Sequence, residues 1–283
     1  MTAMDTVAAA LQMAVRTLSN HSDSARLDAE ILLCQVLQLS RSALIVRGAD
    51  PIAAESRHAY EHLIARRVHG APIAYLTGKR EFWSLELSIT PDVLVPRPET
   101  EVLVELALRL LPTDQARSVL DLGTGSGAIA LAIASERPLV CATGIDICEH
   151  ALAVAIANSR KLELPDVRWR VGSWFDAVPG ERFDLIVANP PYVASSDPAL
   201  KQLTAEPALA LSSGPTGLEA LTKIVDRAAL HLQPGGWLLL EHGSTQAEDV
   251  AAMLEHRRFG GISSHADYSG KTRVTLGTVH TSH

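Results

Sequence analysis

The stretch Asp121-Leu122-Gly123-Thr124-Gly125-Ser126-Gly127 constrains this chain more than any other feature. It follows the apolar run 119–122 and precedes helical spacing over 128–135, so it reads as a strand–turn–helix junction. Glycines there let the backbone turn tightly and approach a ligand with no side chain in the way. From Ser118 onward the same alternation continues. Runs 141–145, 167–171, 185–188 and 237–241 read as strands, and 150–161 and 217–232 as helices. Alternation of this kind predicts an α/β fold, a mostly parallel sheet covered on both faces. Residues 261–268 and 273–279, joined by Ser269-Gly270, depart from it and read as an antiparallel strand pair at the sheet edge.

The N-terminal part reads differently. Residues 7–18, 25–39 and 55–68 carry apolar side chains at helical spacing, with Asp50-Pro51 as a start signal for the third. Up to Leu76 there are seven basic and seven acidic residues, so the whole net charge of −7 lies further on. This gives three parts: a helical domain over 1–78, a hairpin linker over 79–97, and an α/β domain over 98–283. In the linker, 81–89 alternates as a strand (Phe82, Leu85, Leu87, Ile89), Thr90-Pro91-Asp92 forms a turn, and 93–95 a second strand. A helix over 101–111 follows, with Thr100 as its cap.

Composition narrows the function. Of 283 residues, 47% are hydrophobic and 20% charged, which suits a packed core and excludes a disordered chain. No apolar run approaches the ~18 residues of a membrane span. Asp5 stands where an export signal would carry Lys or Arg, so a cytoplasmic, membrane-free protein is expected. Cys34, Cys141 and Cys148 form no C-x-x-C pair and read as buried, reduced thiols. His58 and His62 lack the Glu of a zincin motif and read as surface residues, so no metal is expected. The acidic balance disfavours a stable complex with large nucleic acids.

The glycine loop alone does not identify its ligand. Gly123, Gly125 and Ala128 also satisfy the dinucleotide pattern G-x-G-x-x-A. Asp146, ending the second strand, can take both hydroxyls of a ribose by charge-assisted hydrogen bonds, or serve only the helix after it. Asn189-Pro190-Pro191-Tyr192 separates the readings. Two prolines hold the backbone extended and remove two donors. The Asn189 side-chain oxygen and the Pro190 carbonyl then face a guest as acceptors, beside the Tyr192 ring. That set suits a planar NH2 group and has no use in hydride transfer.

These residues resemble the class I S-adenosylmethionine-dependent methyltransferases acting on a planar nitrogen. The N-terminal helices, the Glu81-Phe82 hairpin, residues 94–101 (Leu-Val-Pro-Arg-Pro-Glu-Thr-Glu), and Asp267-Tyr268 with Gly270 and Arg273 narrow the resemblance. Together they resemble the bacterial peptide chain release factor glutamine methyltransferases, the HemK-like family, over essentially the whole chain. The resemblance implies a seven-stranded sheet with a C-terminal antiparallel pair. It also implies methylation of the glutamine amide nitrogen in the Gly-Gly-Gln loop of class 1 release factors, with S-adenosylhomocysteine as the other product. By position, Gly123, Thr124, Gly125, Ser126, Gly127 and Asp146 would hold the cofactor, and Trp174 would lie on the adenine. Asn189, Pro190, Pro191 and Tyr192 would form the glutamine site, with Asn189 touching both ligands and Asn189, Pro190 and Tyr192 carrying the catalysis. The alternatives are a glutamine methyltransferase of a ribosomal protein, an adenine or guanine amino-group methyltransferase, and an NAD-dependent oxidoreductase.

Overall fold

A computed structural model describes residues 6–280, which divide into two compact units that meet in the chain between Lys79 and Arg80. The first is helical: α1 (Val7–Leu18), α2 (Ala25–Leu37), α3 (Arg41–Val46), α4 (Ala54–Val68) and α5 (Ile73–Thr77). Leu18, Leu32, Leu33 and Tyr60 fill its core, and the Tyr60 hydroxyl donates to the Ala29 carbonyl at 2.9 Å. Burial of these apolar side chains drives the packing. Two acids inside this unit are paired. Asp28 accepts from Ser22, Ser24 and Arg67, and Glu30 from Arg26 and Arg41. The Arg41 hydrogen bond is the main influence holding the Glu30 carboxyl below its usual range, against burial.

The start signal at Asp50-Pro51 is corrected. Pro51 lies outside α4, in an isolated bridge with Thr6, and Ala53 precedes the helix with no side-chain cap. The short α3 and α5 were not expected.

The second unit opens with a hairpin, β1 (Lys79–Phe82) and β2 (Leu85–Ser88). Its turn is Trp83-Ser84, both left-handed at φ 52° and 59°, the requirement of a tight two-residue hairpin. The expected second strand at 93–95 is therefore corrected: the hairpin is complete by Ser88. Val93 and Val95 are apolar because they are buried, and neither lies in a strand. The hairpin tip is tied down, with the Trp83 N–H donating to Glu101 and its indole N–H to Glu136.

The sheet is built from β3 (Arg117–Leu122), β4 (Val140–Asp146), β5 (Arg168–Val171), β6 (Phe183–Ala188), β7 (Leu232–Glu241), β8 (Gly260–Ala266) and β9 (Thr272–Thr278), in the order β5-β4-β3-β6-β7-β9-β8. The first five are parallel and β9 runs antiparallel to β7 and β8, as the sequence predicts. The central strands β3 and β6 are apolar because both faces are covered. The cover comes from α6 (Glu101–Leu110), α7 (Ala128–Glu136), α8 (Glu149–Lys161), α10 (Glu219–Ala228) and α11 (Ala247–His256), with the one-turn α9 (Ala208–Leu211) in the segment between β6 and α10. The cysteines are unpaired but none is buried. Cys141 is exposed, at the start of β4 before pairing with β5 begins at Thr143.

Candidate active site

Strand register builds the site. Leu122 pairs with Ile145 on one side and Ala188 on the other, and Ala188 pairs with Leu240. Asp146 and Glu241 end β4 and β7, and Gly123 and Asn189 directly follow the last residues of β3 and β6, so all four lie at the carboxyl ends of the parallel strands. The chain order reverses between β3 and β6, and ligands of open α/β sheets bind at such a switch point.

A cavity of about 730 Å³ opens there. Gly123, Gly125, Asp146, Trp174, Asn189 and Pro191 all line it, so six of the expected site residues meet on one wall. Gly123, Gly125 and Gly127 take φ of 72°, 55° and 82°, which L side chains adopt only with strain. A Cβ on Gly123 would lie 3.5 Å from the Trp174 ring, so the loop and the tryptophan form one narrow face. Asp146 braces that face, its Oδ2 accepting the Gly125 N–H and its Oδ1 the Cys148 N–H, each at 2.9 Å.

The other expected residues do not line the cavity. Thr124, 6% exposed, donates its hydroxyl to Asp121 Oδ2 at 2.6 Å. Ser126 is buried, and its carbonyl accepts from the buried Asn158. Gly127 packs against Trp169, where a Cβ would come within 2.9 Å. Pro190 is buried. The Tyr192 ring packs on the central core, and burial, ahead of the Glu241 charge, pushes its phenol up to about 12.

Asn189 is oriented. Its Nδ2 donates to the Thr100 hydroxyl at 3.1 Å, leaving Oδ1 as its free acceptor. The Thr100 cap is thus corrected: Thr100 sits before α6 at the end of a 3-10 turn, makes no cap hydrogen bond, and serves Asn189 instead.

Three features of the site escaped sequence reading. The segment from Pro207 to Lys223, which holds α9, a connecting loop and the start of α10, also lines the cavity, including Leu209, Ser213, Gly214 and Glu219. Arg97 and Val95 both donate to the buried Glu206. Glu241 itself ends an apolar run beside the crevice, which was the signal available for it.

The pocket suits an adenosyl sulfonium. Its glycine face admits a flat ring against Trp174, and Asp146 is free to accept further at both oxygens. Asp121 lies beneath the loop with Oδ1 unpartnered, its carboxyl pushed up to about 7 by burial against the Thr124 and Ala130 hydrogen bonds. Among the described residues, no group of His, Cys, Asp and Glu could hold a metal ion, and His58 and His62 are exposed. Among them, too, no helix is long and apolar enough to cross a membrane.

Comparison with known proteins gives consistent matches. The family described as PrmC N-terminal domain matches residues 9–78, and the methyltransferase small domain matches 100–260. The chain is 46% identical over 258 residues to a release factor glutamine methyltransferase of Salmonella typhimurium, covering 90% of this chain and 93% of the relative. It is 43% identical over 284 residues to a protein of the same name from Vibrio cholerae, covering 98% of each. A T. thermophilus 16S rRNA methyltransferase, solved with AdoMet and guanosine, shares the fold at a TM-score of 0.54 and 22% identity, over 71% of this chain and 50% of that one.

Proposed function

The chain belongs to the release factor glutamine methyltransferases, and on that premise we propose that its Asn189-Pro190-Pro191-Tyr192 corner receives the glutamine of the Gly-Gly-Gln loop of a class 1 release factor. It is an S-adenosylmethionine-dependent enzyme that methylates the side-chain amide nitrogen of a glutamine. Gly123, Gly125, Asp146 and Trp174 would hold the cofactor, with Thr124, Ser126 and Gly127 shaping the loop from behind. When bound, S-adenosylmethionine supplies an electrophilic methyl group.

The orientation of Asn189 carries this reading. An amide nitrogen is a poor nucleophile because its lone pair is delocalised into the carbonyl. Asn189 Oδ1 and the Pro190 carbonyl, accepting from the substrate NH2, raise the electron density on nitrogen and fix its approach. Neither atom is a base at neutral pH, so these residues act by orientation. Holding reactants in line is worth up to ~7–11 kcal/mol in favourable cases. The Tyr192 ring packs on the central core, so that side chain serves by bracing the corner.

The helical unit, 1–79, grips the body of the factor in this proposal. Removing it should raise KM for the whole factor far more than for a short Gly-Gly-Gln peptide. The net charge of −7 supports a protein partner over nucleic acid, and a cytoplasmic location accords with a translation factor as substrate. Tandem mass spectrometry of a release factor after incubation tests the assignment. The expected result is one added methylene on the Gly-Gly-Gln glutamine; a gain on any other residue, or none, contradicts it.

A further inference from the structure

Between the Asn189 corner and α10 the chain makes an excursion that returns to where it started. Its return is fastened to the residue just after the corner. The Val193 N–H donates to the Leu211 carbonyl at 3.0 Å, and the Val193 carbonyl accepts the Ser213 N–H at 3.0 Å. Ser195 repeats the pattern, its N–H donating to the Gly214 carbonyl at 2.8 Å. The far end of the excursion is held by a side chain. Glu206 accepts the Val95 N–H at one carboxylate oxygen, at 3.3 Å, and the Arg97 guanidinium at the other. The Glu206 side chain is 3% exposed and that of Arg97 36%, so the carboxylate is out of water with Arg97 as its counter-charge. A buried carboxylate is costly unless it is paired and hydrogen-bonded.

Both segments that Glu206 joins line the cavity. Val93 and Leu94 precede the Val95 donor, and Pro207, Leu209 and Ala210 follow Glu206. Leu209 lines the cavity while 63% exposed, which places it at the mouth. We propose that Glu206 is a positioning residue for the protein substrate: its bonds to Val95 and Arg97 pin residues 203–211 as the wall beside the Asn189 corner, and Leu209 on that wall seats the chain that carries the glutamine. This rests on the reading of the corner as the glutamine site. In that substrate the two residues before the glutamine are glycines, whose bare backbone can lie close against an apolar side chain.

The pairing chemistry ranks the variants. E206Q keeps an acceptor for the Val95 N–H but leaves Arg97 without its counter-charge. R97M leaves the Glu206 carboxylate buried and uncompensated, the costlier state. R97K keeps the charge and gives up the planar fork. In each case the anchor loosens at Glu206 while the bonds at Val193 still hold the other end. The wall is then mobile beside the corner, and the substrate has to order it on binding. That cost falls on capture of the release factor. S-adenosylmethionine is spared, because Gly123, Asp146 and Trp174 stand at the ends of other strands.

The test uses the full-length protein as wild type, E206Q, R97M, R97K and L209A. E206Q and R97M should raise KM for a release factor at least ~10-fold, with R97M the more severe and R97K the mildest. Calorimetric Kd for S-adenosylmethionine should stay within about twofold of wild type in all four variants. L209A truncates an exposed side chain, so it should raise KM about 5-fold with Tm unchanged. Independently of activity, backbone amides of residues 203–211 should exchange with deuterium faster in E206Q than in wild type, and those of Val193 and Ser213 at the wild-type rate. Unchanged exchange at 203–211, a wild-type KM in E206Q and L209A, or a loss that tracks the S-adenosylmethionine Kd overturns the proposal and leaves the glutamine reading standing. Failure of the wild-type protein to methylate a release factor overturns that reading instead, and the exchange rates still decide whether Glu206 pins the wall.

Discussion

Asp146 Oδ2 accepts the Gly125 N–H at 2.9 Å, so the carboxylate beside the cavity also holds the shape of the glycine loop. Its other oxygen steadies the backbone at Cys148, where α8 begins. Charged hydrogen bonds of this kind are worth ~1.5–3 kcal/mol each. Asp146→Ala should therefore weaken S-adenosylmethionine binding by ~10–100-fold and lower Tm together, read by calorimetry. An unchanged Kd would remove Asp146 from the cofactor site.

Gly217 marks where the Asn189 corner meets the far loop. A Cβ there would fall 2.4 Å from the Tyr192 carbonyl at a φ of +80°, a clash with backbone on top of strain. Gly217→Ala should lower both kcat and stability, because the corner must move. Gly180→Ala is the control, with a φ of +75° and open space around it. It should cost only ~1–2 kcal/mol of strain and leave kcat unchanged.

Asn158 is fully buried and fully used. Its Oδ1 accepts the Ser88 N–H at 2.7 Å, and its Nδ2 donates to the Ser88 and Ser126 carbonyls. One side chain thereby fastens the end of β2 to the glycine loop. Asn158→Asp keeps the acceptor and strips the donors, leaving two carbonyls facing a charge. At ~1–3 kcal/mol per orphaned group, chemical denaturation should show a loss of several kcal/mol, larger than for a substitution on the exposed face of α8.

Stability should fall as pH rises through the range where Asp121 and Glu241 ionise. Burial raises both to about 7, above the ordinary carboxylate values of 3.8 and 4.5. A group whose pKa rises on folding stabilises below its unfolded value and loses that contribution up to its folded value. The window is therefore about pH 4 to 7. Glu241→Gln should gain in Tm relative to wild type as pH increases across it. A constant difference across the window would mean that Glu241 titrates normally.

The parts of this molecule that obey local rules were readable from its sequence. The glycine loop, the apolar runs of β3 and β6, and α1 follow from periodicity and from glycine's access to positive φ. The Trp83-Ser84 turn was not, because two ordinary residues adopt left-handed backbone there without an Asn-Gly signature. Thr100 reads as a helix cap in sequence, yet its hydroxyl is claimed by a residue 89 positions away. Val93 and Val95 alternate like a strand, and burial alone accounts for it. Glu241 reads only as the end of an apolar run, which marks a strand and gives the acid itself no role.

The central claim is that Asn189 offers its oxygen to the substrate carboxamide. Single-turnover rate and S-adenosylmethionine Kd measured together on Asn189→Ala test it most directly. Removing one preorganised hydrogen-bonding group costs ~10²–10³-fold in rate where it acts on the reacting centre. The account predicts a loss of that order with Kd changed by far less. A rate near wild type, or a loss explained wholly by weaker cofactor binding, would contradict it.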